Sequence, residues 1–270
     1  MNLAGQTAWI TGASSGIGAA LARELANRGA GIVLSGRDEG RLQSVAAEIA
    51  TDTLILPFEV TDEAAMRAAT DRATGWHGID IFVANAGISQ RSPAVSTAMD
   101  VYRRIIDVDL TAQIAATQAL LPHMTARGSG RLVFISSIAG KVGVPMRTAY
   151  CAAKFGLIGY ADALRAELSQ SGIAVHVVCP GSVATDVSRN ALTGEGEPRG
   201  KSDKAIDSGI PPADAARAIA DGMAAGTREI IVARGVEEAM GEMRRTPDAL
   251  LDKVAAMAAA GYMEKMQAEG

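Results

Sequence analysis

Tyr150-Cys-Ala-Ala-Lys154 places a phenol and an ammonium four residues apart, so on a helix they share one face. A free phenol titrates near pH ~10 and is a poor base at neutral pH. A cation held close favours its ionised form, and a phenol so tuned can give a proton to a carbonyl oxygen or take one from an alcohol. Ser137 stands at the end of an apolar run, in Ile135-Ser136-Ser137, where its hydroxyl can hydrogen-bond the same oxygen. A second constellation lies near the N-terminus. Gly12, Gly16 and Gly18 punctuate Ile10-Thr-Gly-Ala-Ser-Ser-Gly-Ile-Gly18 between an apolar run and a helical stretch. Gly12 permits a tight turn, Gly16 lets backbone approach a pyrophosphate, and Gly18 lets helix and strand pack closely. Backbone N–H groups and the helix dipole then face phosphate.

The elements that must position these residues follow from periodicity. Short Val- and Ile-rich runs at 7–10, 31–34, 53–56, 79–83, 131–135, 173–178 and 229–232 read as strands buried on both faces. Helical spacing fills 18–28, 39–50, 62–74, 98–126, 149–169 and 213–225 between them. Such alternation predicts a doubly wound α/β fold around a parallel sheet. The long irregular stretch at 181–212 has the length of a lid or binding loop. The chain has 270 residues, 48% hydrophobic and 21% charged, enough for one large domain with a full core. A net charge of -4 gives no reason to expect nucleic acid, and no apolar run approaches the ~18 residues of a membrane span. Residues 1–5 lead straight into a strand with no signal-peptide pattern, so a cytoplasmic protein is expected. Cys151 and Cys179 form no metal or disulfide spacing, and His77, His123 and His176 are scattered, so no metal site is expected.

Together the pieces resemble the short-chain dehydrogenase/reductase family along nearly all of 5–235. They are Thr11-Gly-Ala-Ser-Ser-Gly-Ile-Gly18, Asn85-Ala-Gly87, Ser137, Tyr150-x-x-x-Lys154 and Pro180-Gly-Ser-Val-Ala-Thr185, in this order and spacing. The resemblance implies one Rossmann domain with seven parallel strands and helices on both faces. It implies Tyr150, Ser137 and Lys154 as the catalytic set, with a nicotinamide cofactor at the carboxyl edge of the strands. By the same resemblance Gly12, Ser14, Ser15, Gly16, Ile17 and Gly18 hold the pyrophosphate, and Lys154 also binds the nicotinamide ribose. Val183 and Thr185, after Pro180 and Gly181, fix the carboxamide, while Glu59, Val60, Asn85, Ala86 and Gly87 line the adenosine side and brace the central sheet. Asn85–Ser92, Ile135–Gly143 and Asn190–Gly194 are similar to a reductase branch whose animal members carry a membrane anchor and act on steroid- or retinoid-like carbonyls. The chain shows no anchor, so that substrate does not transfer.

Two departures stand out. Asp109, in Ile106-Asp-Val-Asp-Leu110, takes the place of the family's Asn, which holds a relay water linked to the lysine; a backbone carbonyl can still hold that water, but a carboxylate there can also pair with Lys154, and Asp109 joins the catalytic set. Glu59 stands where the family has Asp. At the end of the second strand, Gly36 replaces the acid that an NAD enzyme uses on the ribose, and Arg37 follows with a fork suited to a 2′-phosphate. NADP(H) is therefore expected over NAD(H), with Asp38 either orienting Arg37 or approaching the ribose. Ile88, Val142, Val144 and Pro145 are expected to line an apolar substrate pocket, which suggests a hydrophobic ketone, aldehyde or secondary alcohol. A 3-oxoacyl thioester reductase and a non-catalytic NADP-sensing protein are the alternatives. A homodimer or homotetramer is expected.

Residues 236–270 form a helical extension of the domain. Thr246 reads as a helix N-cap, with Pro247 in the first turn. Leu250, Leu251, Val254, Met257, Ala258 and Tyr262 make an apolar stripe, weakened at Gly261 and flanked by Met263 and Met266. The stripe needs its own domain, a partner or the substrate mouth to cover it.

Overall fold

The structure is a computed structural model that describes residues 1–243 and 246–261. Strand β1 (Thr7–Thr11) leads into α1 (Gly16–Asn27), then β2 (Gly31–Gly36), α2 (Glu39–Ala46), β3 (Thr53–Pro57), α3 (Glu63–His77) and β4 (Ile81–Ala84). Next come α4 (Met99–Ile106), α5 (Ala112–Arg127), β5 (Gly130–Ile135), α6 (Thr148–Glu167) and β6 (Ile173–Pro180). The chain continues with α7 (Lys204–Asp207), α8 (Pro212–Ala224), β7 (Glu229–Val232), α9 (Val236–Met243) and α10 (Asp248–Ala259). The strands form one seven-stranded sheet in the order β3-β2-β1-β4-β5-β6-β7, every neighbouring pair parallel.

Strand side chains alternate between two cores because the pleat sends successive residues to opposite faces. Ala8, Ile10, Ile32 and Leu34 pack with Leu21 of α1 and Ile219 of α8 on one face. Trp9, Val33, Phe82 and Phe134 pack with Met66 of α3, Leu120 of α5 and Leu157 of α6 on the other. Both faces being covered explains why the strands read as continuous apolar runs. Asn85, just past β4, joins the two halves at the topological switch. Its Nδ2 donates to the Thr11 carbonyl (2.9 Å) and the Gly12 carbonyl (3.2 Å), and its backbone N–H donates to Thr11 Oγ1 (3.0 Å). The crevice outside the strands' carboxyl ends opens there, as open α/β sheets dictate.

Four local expectations change. The helix expected at 98–126 is two helices joined by a π-helical segment, Asp107–Thr111. Helix α2 stops at Ala46 rather than 50, because the N–H groups of Glu48 and Ile49 turn to carbonyls three residues back and tighten the chain out of the helix. At α10 the cap sits one residue later than expected: Pro247 is the N-cap, and its carbonyl accepts from Leu250 and Leu251. Gly261 is no weak point inside that helix, since it follows the Ala260 cap with a φ of 87° and ends it. Helix α10 packs on α6 through the half-buried Leu251, Ala255 and Ala258, while Leu250, Val254 and Met257 remain exposed. Arg228 pairs with Asp252 to hold it there. Tyr262, Met263 and Met266 lie outside the described residues.

Candidate active site

The crevice is a cleft of about 650 Å³ that gathers residues from nearly every strand end. Gly12, Ser14, Ser15, Gly16 and Ile17 form one wall, and Ser137, Tyr150 and Lys154 another. Arg37, Glu59, Val60, Asn85, Ala86, Gly87, Asp109, Pro180, Gly181, Val183 and Thr185 complete the expected set. Gly18 lies behind the wall, at the start of the buried face of α1.

At the glycine turn, Gly12 has a φ of 65°, and a Cβ there would come within 2.8 Å of Ala86 Cα. Only glycine lets the turn run this close to the β4 loop. Helix α1 starts at Gly16 with no side-chain cap from Ser15 and no acid in its first turn. Its first amides and the positive end of its dipole are thus left for an anion, which fits a pyrophosphate. At the far end, Asp38 is taken up as the N-cap of α2, accepting from the Arg41 N–H at 3.0 Å. Arg37 lies 3.5 Å from Glu59, and Arg41 also lines the cleft. The sequence reading missed Arg41; its place one helical turn after Arg37 is the signal that marks it.

The reacting end is built on α6 and the end of β5. Lys154 is fully buried, and its Nζ donates to the Ile135 carbonyl (3.0 Å), lies 3.1 Å from Asp109 Oδ2 and sits 5.5 Å from the centre of the Tyr150 ring. Ser136 Oγ donates to the Lys154 carbonyl at 3.0 Å, clamping the helix to the strand end. Asp109 Oδ1 accepts from the Ile88 N–H at 2.8 Å, so the carboxylate that replaces the family's Asn does pair with Lys154. Burial disfavours both charges. For Lys154 burial is the largest influence, but the Asp109 carboxylate and the Tyr150 phenol together outweigh it, and its pKa is raised.

The π-helical segment aims Asp109 inward. Gln113, buried at its end, donates from Nε2 to the carbonyls of Val108 (2.9 Å) and Ala86 (2.8 Å) and fixes the turn. Gly87 lets the β4 loop pass over the pair, where a Cβ would meet Asp109 Oδ2 at 2.9 Å. Ser137 Oγ accepts from the Ala139 N–H (3.1 Å) and donates to the Pro180 carbonyl (3.3 Å), and the residue lines the cleft wall. Beyond β6, Glu237 of α9 accepts from the Ser182 N–H (2.7 Å) and hydroxyl (2.8 Å), which holds the segment carrying Val183 and Thr185.

The substrate end differs from expectation. Ile88 lines the cleft with Leu192 and Ile206, but Val142, Val144 and Pro145 are not among its described lining residues. Pro145 is exposed, and Val144 turns its backbone toward Cys151 Sγ. Gln90, Arg91, Arg147, Ser188 and Asn190 make this end largely polar. His176 packs inside with Nδ1 donating to the Thr227 carbonyl at 2.8 Å, and Cys179 is buried with its thiol pushed up to about 12 by desolvation. No group of three metal-ligating side chains occurs among the described residues.

A phosphate-ready helix end and a phenol beside a buried ammonium, facing each other across the switch point of a parallel sheet, define a dinucleotide-dependent oxidoreductase. The comparisons agree. The family model described as short chain dehydrogenase matches residues 6–196. The Danio rerio protein named dehydrogenase/reductase SDR family member 7B is 35% identical over 242 residues, covering 86% of this chain and 78% of the relative. Among solved structures, levodione reductase superposes with a TM-score of 0.78 at 24% identity, covering 88% of this chain and 99% of that one. A gluconate 5-dehydrogenase from Burkholderia cenocepacia, in complex with NADP and tartrate, is 33% identical with a TM-score of 0.67, over 70% of this chain and 75% of that one.

The chain belongs to the short-chain dehydrogenase/reductase family, in a reductase branch with animal members. It is an oxidoreductase that acts on CH–OH groups of small molecules with a nicotinamide cofactor. No helix among the described residues is long and apolar enough to cross a membrane.

Proposed function

We propose that the enzyme interconverts a carbonyl compound and its secondary or primary alcohol with NADP(H) in preference to NAD(H), using Tyr150 as proton donor and acceptor. The observation that carries this reading is the buried Lys154–Asp109 pair beside Tyr150, on the cleft wall that also holds Ser137. The nicotinamide supplies or takes the hydride at the carbonyl carbon. Ser137 holds the substrate oxygen by a hydrogen bond, and Tyr150 gives that oxygen its proton in reduction and removes it in oxidation. Lys154 keeps a positive charge against the phenol and reaches the ribose. Asp109 acts through Lys154, by holding it in place and in charge. The α1 N-terminus takes the pyrophosphate, and Val183 and Thr185 take the carboxamide.

Three features support the cofactor preference. Gly36 offers no carboxylate to a ribose hydroxyl, Arg37 and Arg41 stand at the cleft edge, and Asp38 is occupied as a helix cap. The relative from Burkholderia cenocepacia is one whose structure holds NADP. Ile88, Leu192 and Ile206 give the substrate's carbon body an apolar seat. The extension from 236 belongs to the same domain, and a cytoplasmic homodimer or homotetramer completes the reading; light scattering checks the assembly. The test of function is cofactor oxidation with NADPH and NADH against a panel of ketones, aldehydes and 3-oxoacyl thioesters. Turnover of ketones or aldehydes with NADPH is expected. Turnover confined to thioesters would reassign the enzyme to acyl reduction, and cofactor binding without any turnover would make it a sensor.

A further inference from the structure

Four charged side chains meet beside the substrate end of the cleft, which two of them, Arg91 and Arg147, line, and their charges do not balance. Asp203, on the long segment before α7, accepts from Arg91 Nε (2.9 Å) and Ser188 Oγ (2.9 Å) on Oδ2, and from Arg199 Nη1 (2.6 Å) on Oδ1. Arg91 makes a second, shorter contact to the same Oδ2. Its oxygens are therefore engaged before Arg147 arrives. Arg147 Nη2 stands 3.8 Å from Oδ2, beyond hydrogen-bond range, and its Nε is buried without a partner among the described residues. Three guanidiniums thus share one carboxylate, and Arg147 is the one that makes no hydrogen bond to it. Burial, then repulsion from Arg91, pulls its pKa down, as expected for a cation short of a counter-charge.

Arg147 is also placed to meet a substrate. It immediately precedes α6, three residues before Tyr150, and both line the cleft. Its neighbours Arg91 and Ser188 come from the loop after β4 and from the segment after β6 that closes the substrate end. They come from segments other than the glycine turn and the strand end with Arg37 and Arg41, where the cofactor phosphates would sit. The side chain is only 19% exposed, so it is a fixed feature of the wall rather than a solvated surface cation. A guanidinium presents parallel N–H donors that match a carboxylate's two oxygens.

We infer that the substrate is an oxo or hydroxy acid whose carboxylate pairs with Arg147 while its reacting oxygen lies at Tyr150. This rests on the reading above that the reacting carbonyl sits at Tyr150. It adds a charged head to the substrate whose carbon body lies against Ile88 and Leu192, and it makes Arg147 the residue that selects for acids.

The test uses the full chain and a series of short oxo acids of increasing length, each beside its methyl ester. The wild type should reduce at least one acid about tenfold more efficiently than its ester. R147Q should lower that acid-to-ester ratio of kcat/KM by roughly 10- to 100-fold, chiefly through KM, as expected when a charge-assisted contact is lost. R147K, which keeps the charge but not the fork, should fall between. Equal efficiency for acids and esters in the wild type, or a ratio unchanged in R147Q, overturns the inference while leaving the reductase reading intact. Calorimetric titration of the same acids into the NADP+-loaded protein decides the matter independently of turnover. Binding to the wild type that R147Q loses supports the carboxylate site even if no panel member is reduced, in which case the reductase reading is what fails. Binding equal in both proteins, or absent from both, overturns the carboxylate site.

Discussion

Replacing Asp109 by Asn removes the charge and the oxygen that faces Lys154 Nζ, while the amide oxygen can still accept from the Ile88 N–H that Oδ1 now takes at 2.8 Å. Lys154 keeps its bond to the Ile135 carbonyl. With Oδ2 3.1 Å from Nζ and Nζ 5.5 Å from the Tyr150 ring centre, the carboxylate lies within about 9 Å of that ring. At an effective dielectric near 20, a charge at this range opposes a phenolate by about 2 kcal/mol. That corresponds to about 1.4 pH units. The rate of alcohol oxidation under saturating cofactor should therefore rise at a pH lower by roughly one unit in Asp109→Asn than in the wild type. The assay is the pH profile of kcat/KM for oxidation, measured in buffers of constant ionic strength. A purely packing role for Asp109 would lower the rate at every pH and leave the profile in place. An unchanged profile refutes the coupling. A rise displaced to higher pH refutes it too, since it would mean that Lys154 loses its proton once Asp109 no longer holds its pKa up.

Three further outcomes follow from other parts of the cleft. Arg37→Asp should reverse the cofactor order, because loss of a charge-assisted contact and new repulsion cost about 1.5–3 kcal/mol with NADPH; kcat/KM for both cofactors checks it. Burial pushes the Asp203 carboxyl up, but the hydrogen bonds from Arg91, Arg199 and Ser188 outweigh it and hold it well below the usual carboxylate range. Its stabilisation is thus present above its ordinary value of 3.8 and is lost as pH falls below it. Asp203→Asn should melt lower than the wild type near neutral pH, and the gap between their thermal denaturation curves should narrow in acid. Cys179, its thiol pushed up to about 12, should resist thiol reagents in the native protein at pH ~8 and react only on unfolding, which mass spectrometry of labelled peptides will show.

The alternating apolar runs were enough to foretell the sheet, because strands covered on both faces have no polar side to interrupt them. Tyr150, Lys154 and the glycine turn were legible for a related reason: each works through local spacing that one helix or one turn enforces. Asp109 showed itself as a departure at a single position, and the structure turned that departure into an ion pair. The parts that stayed hidden are long-range. Nothing near Arg147 announces that Asp203 will be shared among three guanidiniums, and nothing near Gln113 announces that it will brace Ala86. The helical pattern of 98–126 runs without a break through the π-helical segment, because one extra residue in a turn leaves the apolar spacing nearly intact. The apolar pocket expected from Val142, Val144 and Pro145 failed because those residues follow the turn after β5 away from the cleft. Of the terminal stripe only Leu251 and Ala258 are half-buried, beside Ala255 on the side that α6 covers, while Leu250, Val254 and Met257 stay exposed and Tyr262 lies outside the described residues.

The proposed chemistry assigns the proton transfer to Tyr150. Tyr150→Phe deletes one oxygen and keeps the ring that lies 5.5 Å from the Lys154 ammonium. Steady-state turnover with the best carbonyl substrate, measured beside NADPH binding by fluorescence titration, tests the claim most directly. Turnover should fall by more than about a hundredfold, the scale of general acid–base catalysis, while the NADPH dissociation constant changes by less than about threefold. A Tyr150→Phe enzyme that keeps more than a few per cent of wild-type turnover would contradict the account.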